Sequence, residues 1–265
     1  MSSVIEIERD GHVARVWLNR PDVRNAFDAS LIPELAAAFA ALGADASVRA
    51  IVLGGRGKAF CAGADLGWMR EMADYTWAQN HADAGKLAEM LWAIYSCPVP
   101  VVGRIHGDCY AGGVGLAAVC DIVVAAEPVT FCLSEARLGL LPATISPYVV
   151  RAMGERATRR WFVTAERFGA AEAKAMGFAH EVCALEAIDA TVDRIVATIV
   201  ANGPMATRAC KRLVQEVAGR EITVALRGDT ASRIADIRAS AEGREGVQSF
   251  LQKRQPSWID EGGGR

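Results

Sequence analysis

Gly57-Lys58-Ala59-Phe60-Cys61-Ala62-Gly63-Ala64-Asp65-Leu66 and Gly107-Asp108-Cys109-Tyr110-Ala111-Gly112-Gly113-Val114-Gly115-Leu116 are the two stretches whose reading decides the fold. Each follows a β-branched apolar run: Ala50 to Leu53 before the first, Val99 to Val102 with Ile105 before the second. Each leads into a helix-like stretch. A strand, a glycine turn and a helix start leave backbone N–H groups with no intrahelical acceptor, aimed outward. Two such turns side by side can hold one developing oxyanion between two N–H donors. A lone glycine run such as Gly112-Gly113-Val114-Gly115 also lets a helix approach a sheet closely, and Asp65 reads first as a helix N-cap.

Outward from these turns the pattern predicts a repeat. Val4 to Ile7 and Val13 to Leu18 form a hairpin through Asp10-Gly11, followed by a polar loop at 19–28 and a helix at 30–42. Ala50 to Leu53 is a buried strand, a helix covers 83–96, and a second buried strand runs from Val101 toward Ile105. A short helix to Val119 and a strand at 121–125 come next. Two consecutive strand–turn–helix units suggest a β/β/α coil rather than an open dinucleotide-binding sheet. Beyond Gly154 helices dominate, at 155–164, 170–176, 184–201 and 204–217, with a last strand within 177–183. The chain is thus α/β, with a core over 1–183 and a helical region over 184–265. The apolar residues Ile188, Val192, Ile195, Val196, Ile199 and Val200 suggest a surface shared between subunits.

The 265 residues are 52% hydrophobic and 23% charged with a formal net charge of -2, the balance of an ordinary globular protein. No basic block stands out, which argues against nucleic acid as a partner. No uncharged run reaches the roughly 18 residues of a membrane span, and the N-terminus alternates like a strand rather than a signal peptide. The seven cysteines include no CxxC pair, so neither a disulfide framework nor a zinc site is indicated. Free thiols in a reducing cytoplasm are expected.

Among titratable residues Glu135 stands out, set in the apolar stretch Phe131-Cys132-Leu133-Ser134-Glu135-Ala136-Arg137-Leu138-Gly139-Leu140-Leu141-Pro142. Desolvation there would raise its pKa and suit it to proton transfer, although a capping role is the plainer use of such a residue. Along the sequence, none of His12, His81, His106 and His180 stands at catalytic Ser/Asp or metal-ligand spacing. No GxSxG elbow and no strand-linked GxGxxG is present, which excludes the usual serine-hydrolase and Rossmann readings.

With Asn19-Arg20-Pro21, Asn25-Ala26-Phe27, the two glycine motifs, the Glu135 segment and Phe250 to Pro256, the chain resembles the enoyl-CoA hydratase/isomerase (crotonase) superfamily over nearly its whole length. The resemblance implies a ββα spiral with a C-terminal helical trimerisation region, assembled as a homotrimer or hexamer. It implies an acyl-CoA substrate whose thioester carbonyl is held by the N–H groups of Ala64 and Gly112, with Glu135 moving the proton. Substrate and coenzyme A contacts would fall on Arg24, Ala62, Asp65, Leu66, Gly113, Ala143 and Lys253, with the Ala143 N–H holding water. Neither metal nor separate cofactor is implied, coenzyme A being part of the substrate.

A second family glutamate would fall at Gly115, where this chain has no carboxylate. The expected reaction is hydration of a 2,3-unsaturated acyl-CoA. A Δ3–Δ2 isomerase and a non-catalytic acyl-CoA- or RNA-binding member are the alternatives. The run Phe131 to Val150, with Gly154 to Ala157 and Thr164 to Phe168, looks like bacterial methylglutaconyl-CoA hydratases of leucine breakdown. That substrate's carboxylate would call for a cation near the acyl tail, with Arg70 and Arg137 as candidates. The segment from Gly67 to Ala84, with Trp68, Met69, Met72, Tyr75 and Trp77, is expected to line the acyl pocket.

Overall fold

Gly11, at φ +52°, turns the chain between β1 (Ile5–Asp10) and β2 (Val13–Leu18), which pair antiparallel with Asp10 opposite Val13. The turn is therefore Gly11-His12, one residue beyond the sequence expectation, because Asp10 is still paired. The structure, a computed structural model, describes residues 3–259. Helix α1 (Leu31–Ala44) buries Leu31, Leu35, Phe39 and Leu42, a single stripe at helical spacing, and returns the chain to β3 (Ala50–Gly55), parallel to β2.

From β3 onward the chain coils. The first unit is β3, β4 (Ala59–Cys61), α2 (Leu66–Ala73) and α3 (Trp77–Tyr95). The second is β5 (Val101–Ile105), β6 (Asp108–Tyr110) and α4 (Gly112–Ala118). The third is β7 (Ile122–Ala126), β8 (Thr130–Cys132), a 3₁₀ turn at Glu135–Leu138 and α5 (Ser146–Met153). Then follow α6 (Glu155–Thr164), β9 (Arg167–Gly169), α7 (Ala170–Ala175) and β10 (Glu181–Cys183). The tail is α8 (Ile188–Val200), α9 (Pro204–Val217), α10 (Val224–Ala239) and α11 (Ala241–Leu251).

The first strand of each unit joins a six-stranded sheet, β1-β2-β3-β5-β7-β10, and the second joins a four-stranded sheet, β4-β6-β8-β9. Every residue of β3 is buried, as its unbroken apolar run requires in a sheet covered on both faces. One cover is α8, which packs on β3, β5 and β7 through Ile188, Val192 and Val196. Those residues are thus spent inside the protomer and do not form the inter-subunit surface expected of them.

Helix α3 begins at Trp77, well before the expected Asp83, because Thr76 and Gln79 form a reciprocal capping box. Strands β4, β6, β8 and β9 are three residues each, too short to show alternation in a sequence. All seven cysteines are free thiols. Among the described residues no helix is long and apolar enough to cross a membrane.

Helix α9 is pinned to the core by an ion pair. The Lys211 side chain is only 6% exposed; its ammonium lies 2.7 Å from Asp121 Oδ2 and donates to the Val99 carbonyl at 3.1 Å. The same Asp121 oxygen accepts the Val101 N–H at 2.7 Å. Burial pushes the Asp121 carboxyl above its usual range, and Lys211 is the largest influence opposing that shift. Lys211→Ala leaves a largely desolvated carboxylate with only backbone N–H groups for company, and is expected to cost about 3 kcal/mol, read from urea denaturation.

Candidate active site

The first glycine turn is built on a strap. Phe27 donates its N–H to the Gly63 carbonyl at 2.7 Å, and Asp65 donates to the Phe27 carbonyl at 2.8 Å, a parallel bridge between Phe27 and Ala64. In such a bridge the residue opposite Phe27 uses neither of its own groups, so the Ala64 N–H points to the other side. Ala62 donates to the Arg24 carbonyl at 3.0 Å, and Gly63 supplies the φ of +90° that the corner needs. Asp65 caps α2, its Oδ1 accepting from Gly67 at 2.7 Å and Trp68 at 3.4 Å.

The strap is held by Asn25, wholly buried. Its amide donates to the Arg56 and Ala59 carbonyls, both at 2.9 Å, while its Oδ1 accepts the Arg20 N–H at 2.9 Å. Arg20 pairs with Asp28 at 2.8 Å and reaches Asp65 at 3.4 Å. The sequence reading assigned Asn25 no role. A left-handed Asn (φ +55°) beside a left-handed Arg24 (φ +54°) is the local price of this corner.

The second turn meets the first directly. Ala111 takes φ +48°, ψ −119°, a strained conformation that costs about 1–3 kcal/mol and marks sites whose geometry is imposed by their surroundings. Its N–H donates to the Cys132 carbonyl at 2.7 Å. A Cβ on Gly63 would sit 2.9 Å from the Ala111 Cβ and 3.7 Å from the Gly112 nitrogen, so the two corners touch. A Cβ on Gly112 would strike the Phe27 ring at 2.4 Å, and one on Gly113 the Cys61 carbonyl at 2.4 Å. Gly113 is therefore required for packing, and it does not line the cavity. Among the described residues, the N–H groups of Ala64 and Gly112 have no hydrogen-bond acceptor.

Both groups belong to residues lining a cavity of about 660 Å³, together with Phe27, Ala62, Leu66, Glu135 and Ala143. Glu135 enters from the 3₁₀ turn after β8. Its Oε2 is buried with no hydrogen-bond partner, and burial pushes its carboxyl above the ordinary value of 4.5. A desolvated carboxyl with one oxygen unpartnered, in the same cavity as two free N–H donors, can move a proton while a neighbouring oxyanion is held.

Several expected residues lie elsewhere. Arg24 and Lys253 are exposed and outside the cavity lining, and Asp65 is occupied as a cap. The Ala143 N–H cannot hold a water, because it donates to the Leu141 carbonyl at 2.8 Å. From the Gly67–Ala84 segment, Trp68, Met69 and Met72 line the cavity, joined by Asn80, Asp83 and Ala84; Tyr75 does not, and Trp77 is 78% exposed. Neither Arg70 nor Arg137 lines it: Arg70 is exposed, and the Arg137 guanidinium donates to the Ala165 carbonyl. At Gly115 a Cβ would lie 2.1 Å from Ile145 Cγ2, so buried Ile145 fills the space where a side chain would begin. Among the described residues no three His, Cys, Asp or Glu side chains gather as a metal site.

Residues 8–261 match the family model for enoyl-CoA hydratase/isomerase. An enoyl-CoA hydratase of Alternaria alternata, ACTT6, is 38% identical over 212 residues, 80% of this chain and 69% of that protein. The crystal structure of an enoyl-CoA hydratase from Shewanella pealeana superposes with a TM-score of 0.93 at 38% identity, covering 96% of each chain. That of an enoyl-CoA hydratase from Mycobacterium smegmatis gives 0.92 at 33% identity, over 97% of this chain and 99% of the other. With the ββα coil and the two apposed glycine corners, these similarities establish that the chain belongs to the enoyl-CoA hydratase/isomerase family.

Proposed function

We propose that the protein is an enoyl-CoA hydratase that adds water reversibly across the 2,3 double bond of an acyl-CoA thioester. The observation carrying this reading is the buried, unpartnered Oε2 of Glu135 in one cavity with the free N–H donors of Ala64 and Gly112. The thioester oxygen accepts from both N–H groups, which favours electron flow from C3 toward that oxygen. Glu135 takes a proton from water as the water oxygen bonds to C3, and returns it to C2 of the enolate. Water is added across the bond and no electrons are gained or lost. The reading therefore calls for no cofactor beyond the coenzyme A of the substrate.

A Δ3–Δ2 enoyl-CoA isomerase is the second reading, favoured by one observation. Ile145 packs where a side chain at position 115 would stand, leaving Glu135 without a second carboxylate there. One carboxylate suffices to carry a proton between C2 and C4. The finer substrate, 3-methylglutaconyl-CoA, is supported only by motif resemblance; the arginines that would favour it stand outside the cavity lining.

Assembly as a homotrimer or hexamer is part of the same reading. Its support is exposed apolar surface on the tail among the described residues, including Ile222, Val224, Phe250 and Leu251, the phenylalanine 82% exposed. A monomeric mass at micromolar concentration in solution would remove it. A reducing compartment such as the cytoplasm fits the free thiols.

Crotonyl-CoA is expected to lose its conjugated thioester absorbance with the wild-type protein, and Glu135→Gln to lower kcat by about 10²–10⁴. Absorbance gained from a 3-enoyl-CoA with no loss from crotonyl-CoA would select the isomerase. Because only ionised Glu135 can take the first proton, kcat/KM should rise with pH through a midpoint above 4.5, a limb absent in Glu135→Gln. Gly115→Ala is expected to destabilise by about 1–3 kcal/mol through overpacking, with Ile145→Ala in the same chain recovering part of the loss in thermal melts.

A further inference from the structure

Asp83 projects from the second turn of α3 and lines the same cavity as Glu135. It is half-buried, and among the described residues it makes neither an ion pair nor a hydrogen bond. The first turn of α3, where the helix dipole would favour a negative charge, lies behind it. The nearest cation along the helix, Lys86, is exposed and outside the cavity lining. None of the residues lining the cavity is Arg, Lys or His; besides the Ala64 and Gly112 N–H groups that face the thioester, the polar groups of the wall are neutral, from Asn80, Ser134, Thr144 and the Trp68 indole N–H.

We propose that Asp83 is a specificity-determining residue, a fixed negative charge that rejects acyl chains carrying a carboxylate and reserves the cavity for uncharged acyl groups. The inference rests on the acyl-CoA reading of this cavity. An acyl carboxylate placed here would meet two like charges, Asp83 and ionised Glu135, and no counter-ion. Desolvating it without a cation or several hydrogen bonds is unfavourable by itself. Like charge from Asp83 adds to that penalty, and the incoming carboxylate would push the Glu135 carboxyl further up, away from the ionised form that begins the reaction. At separations of several ångströms near a protein surface, one such repulsion corresponds to about tenfold or more in affinity.

The test uses two matched pairs. Binding of hexanoyl-CoA and adipoyl-CoA, measured by calorimetry, reads the charge filter without any turnover; hydration of 2-hexenoyl-CoA and 2-hexenedioyl-CoA reads it in kcat/KM. The wild-type protein is expected to favour the uncharged member of each pair by about tenfold or more. Asp83→Asn, which keeps shape and removes charge, should shrink that ratio by about tenfold, and Asp83→Lys should turn it toward the dicarboxylate. Raising salt from about 0.05 to about 0.5 M should narrow the wild-type ratio, a readout that needs no variant to fold. A wild-type ratio near one, a preference for the dicarboxylate, or a ratio unmoved by Asp83→Asn overturns the proposal. If 2-hexenoyl-CoA is not hydrated while the binding ratio behaves as expected, the hydratase reading fails and the charge filter stands.

Discussion

The fully satisfied amide of Asn25 is the constraint on which the site depends. A polar loop can lie beneath a glycine corner only if its buried groups are paired, since a buried amide left unpaired costs about 1–3 kcal/mol. Asn25 meets this with two donated bonds and one accepted bond, all at 2.9 Å. With the loop fixed, Phe27 bridges Ala64, and its ring closes over Gly112 so tightly that only glycine fits. One short strap thus aligns both N–H donors. The strain at Ala111 is tolerated because the Cys132 carbonyl and the Gly63 corner determine its position from two sides.

The chemistry follows from what the surroundings leave unpaired. Among the described residues, the buried side-chain polar atoms without a partner are Trp68 Nε1, His106 Nδ1 and Glu135 Oε2. Of these the glutamate oxygen has the most consequence, because it belongs to a proton-exchanging group that lines the cavity, whereas the His106 imidazole lies outside the lining and Trp68 does not titrate. Leu138, Leu140, Leu141 and Ile145 around the cavity supply little polarity to offset its burial, which raises its pKa. Ile145 at the same time occupies the space beside Gly115, so apolar packing both tunes one carboxyl and leaves no room for another.

The glycine corners, the buried β3 and the desolvated setting of Glu135 were legible in the sequence because each is a local pattern: a φ that suits glycine, an unbroken apolar run, an acid among leucines. The three-residue strands of the second sheet were not, since alternation needs more residues than they have. The start of α3 could have been found from Thr76 and Gln79, a capping box visible at its spacing. The role of Ala143 was misjudged for a different reason. Whether a backbone N–H is free depends on the turn it belongs to, and here the Leu141 carbonyl takes it. Similarly, apolar residues on α8 do not say which surface they cover; the sheet of the same protomer claims them. Asn25, visible in the sequence only as part of a motif, shows no role there because its value lies in partners 31 and 34 residues away.

The order of the large sheet carries a consequence for synthesis. Its strands stand side by side in the sequence order β1, β2, β3, β5, β7, β10. Each strand that leaves the ribosome can therefore add to the edge made by its predecessor, and none has to be inserted between two already paired. The first pairing is a local hairpin, quick to close; every later one is parallel and waits for a longer excursion of chain. Throughout that growth the sheet presents one advancing open edge, the feature most prone to mispairing with another nascent chain. Growth ends when the three-residue β10 docks on β7 and becomes the short final edge, and the cover over β3, β5 and β7 arrives immediately afterwards with α8. Vectorial growth thus spares the fold any threading, while leaving this face of the sheet uncovered until α8, ending at Val200 of 265 residues, has been made.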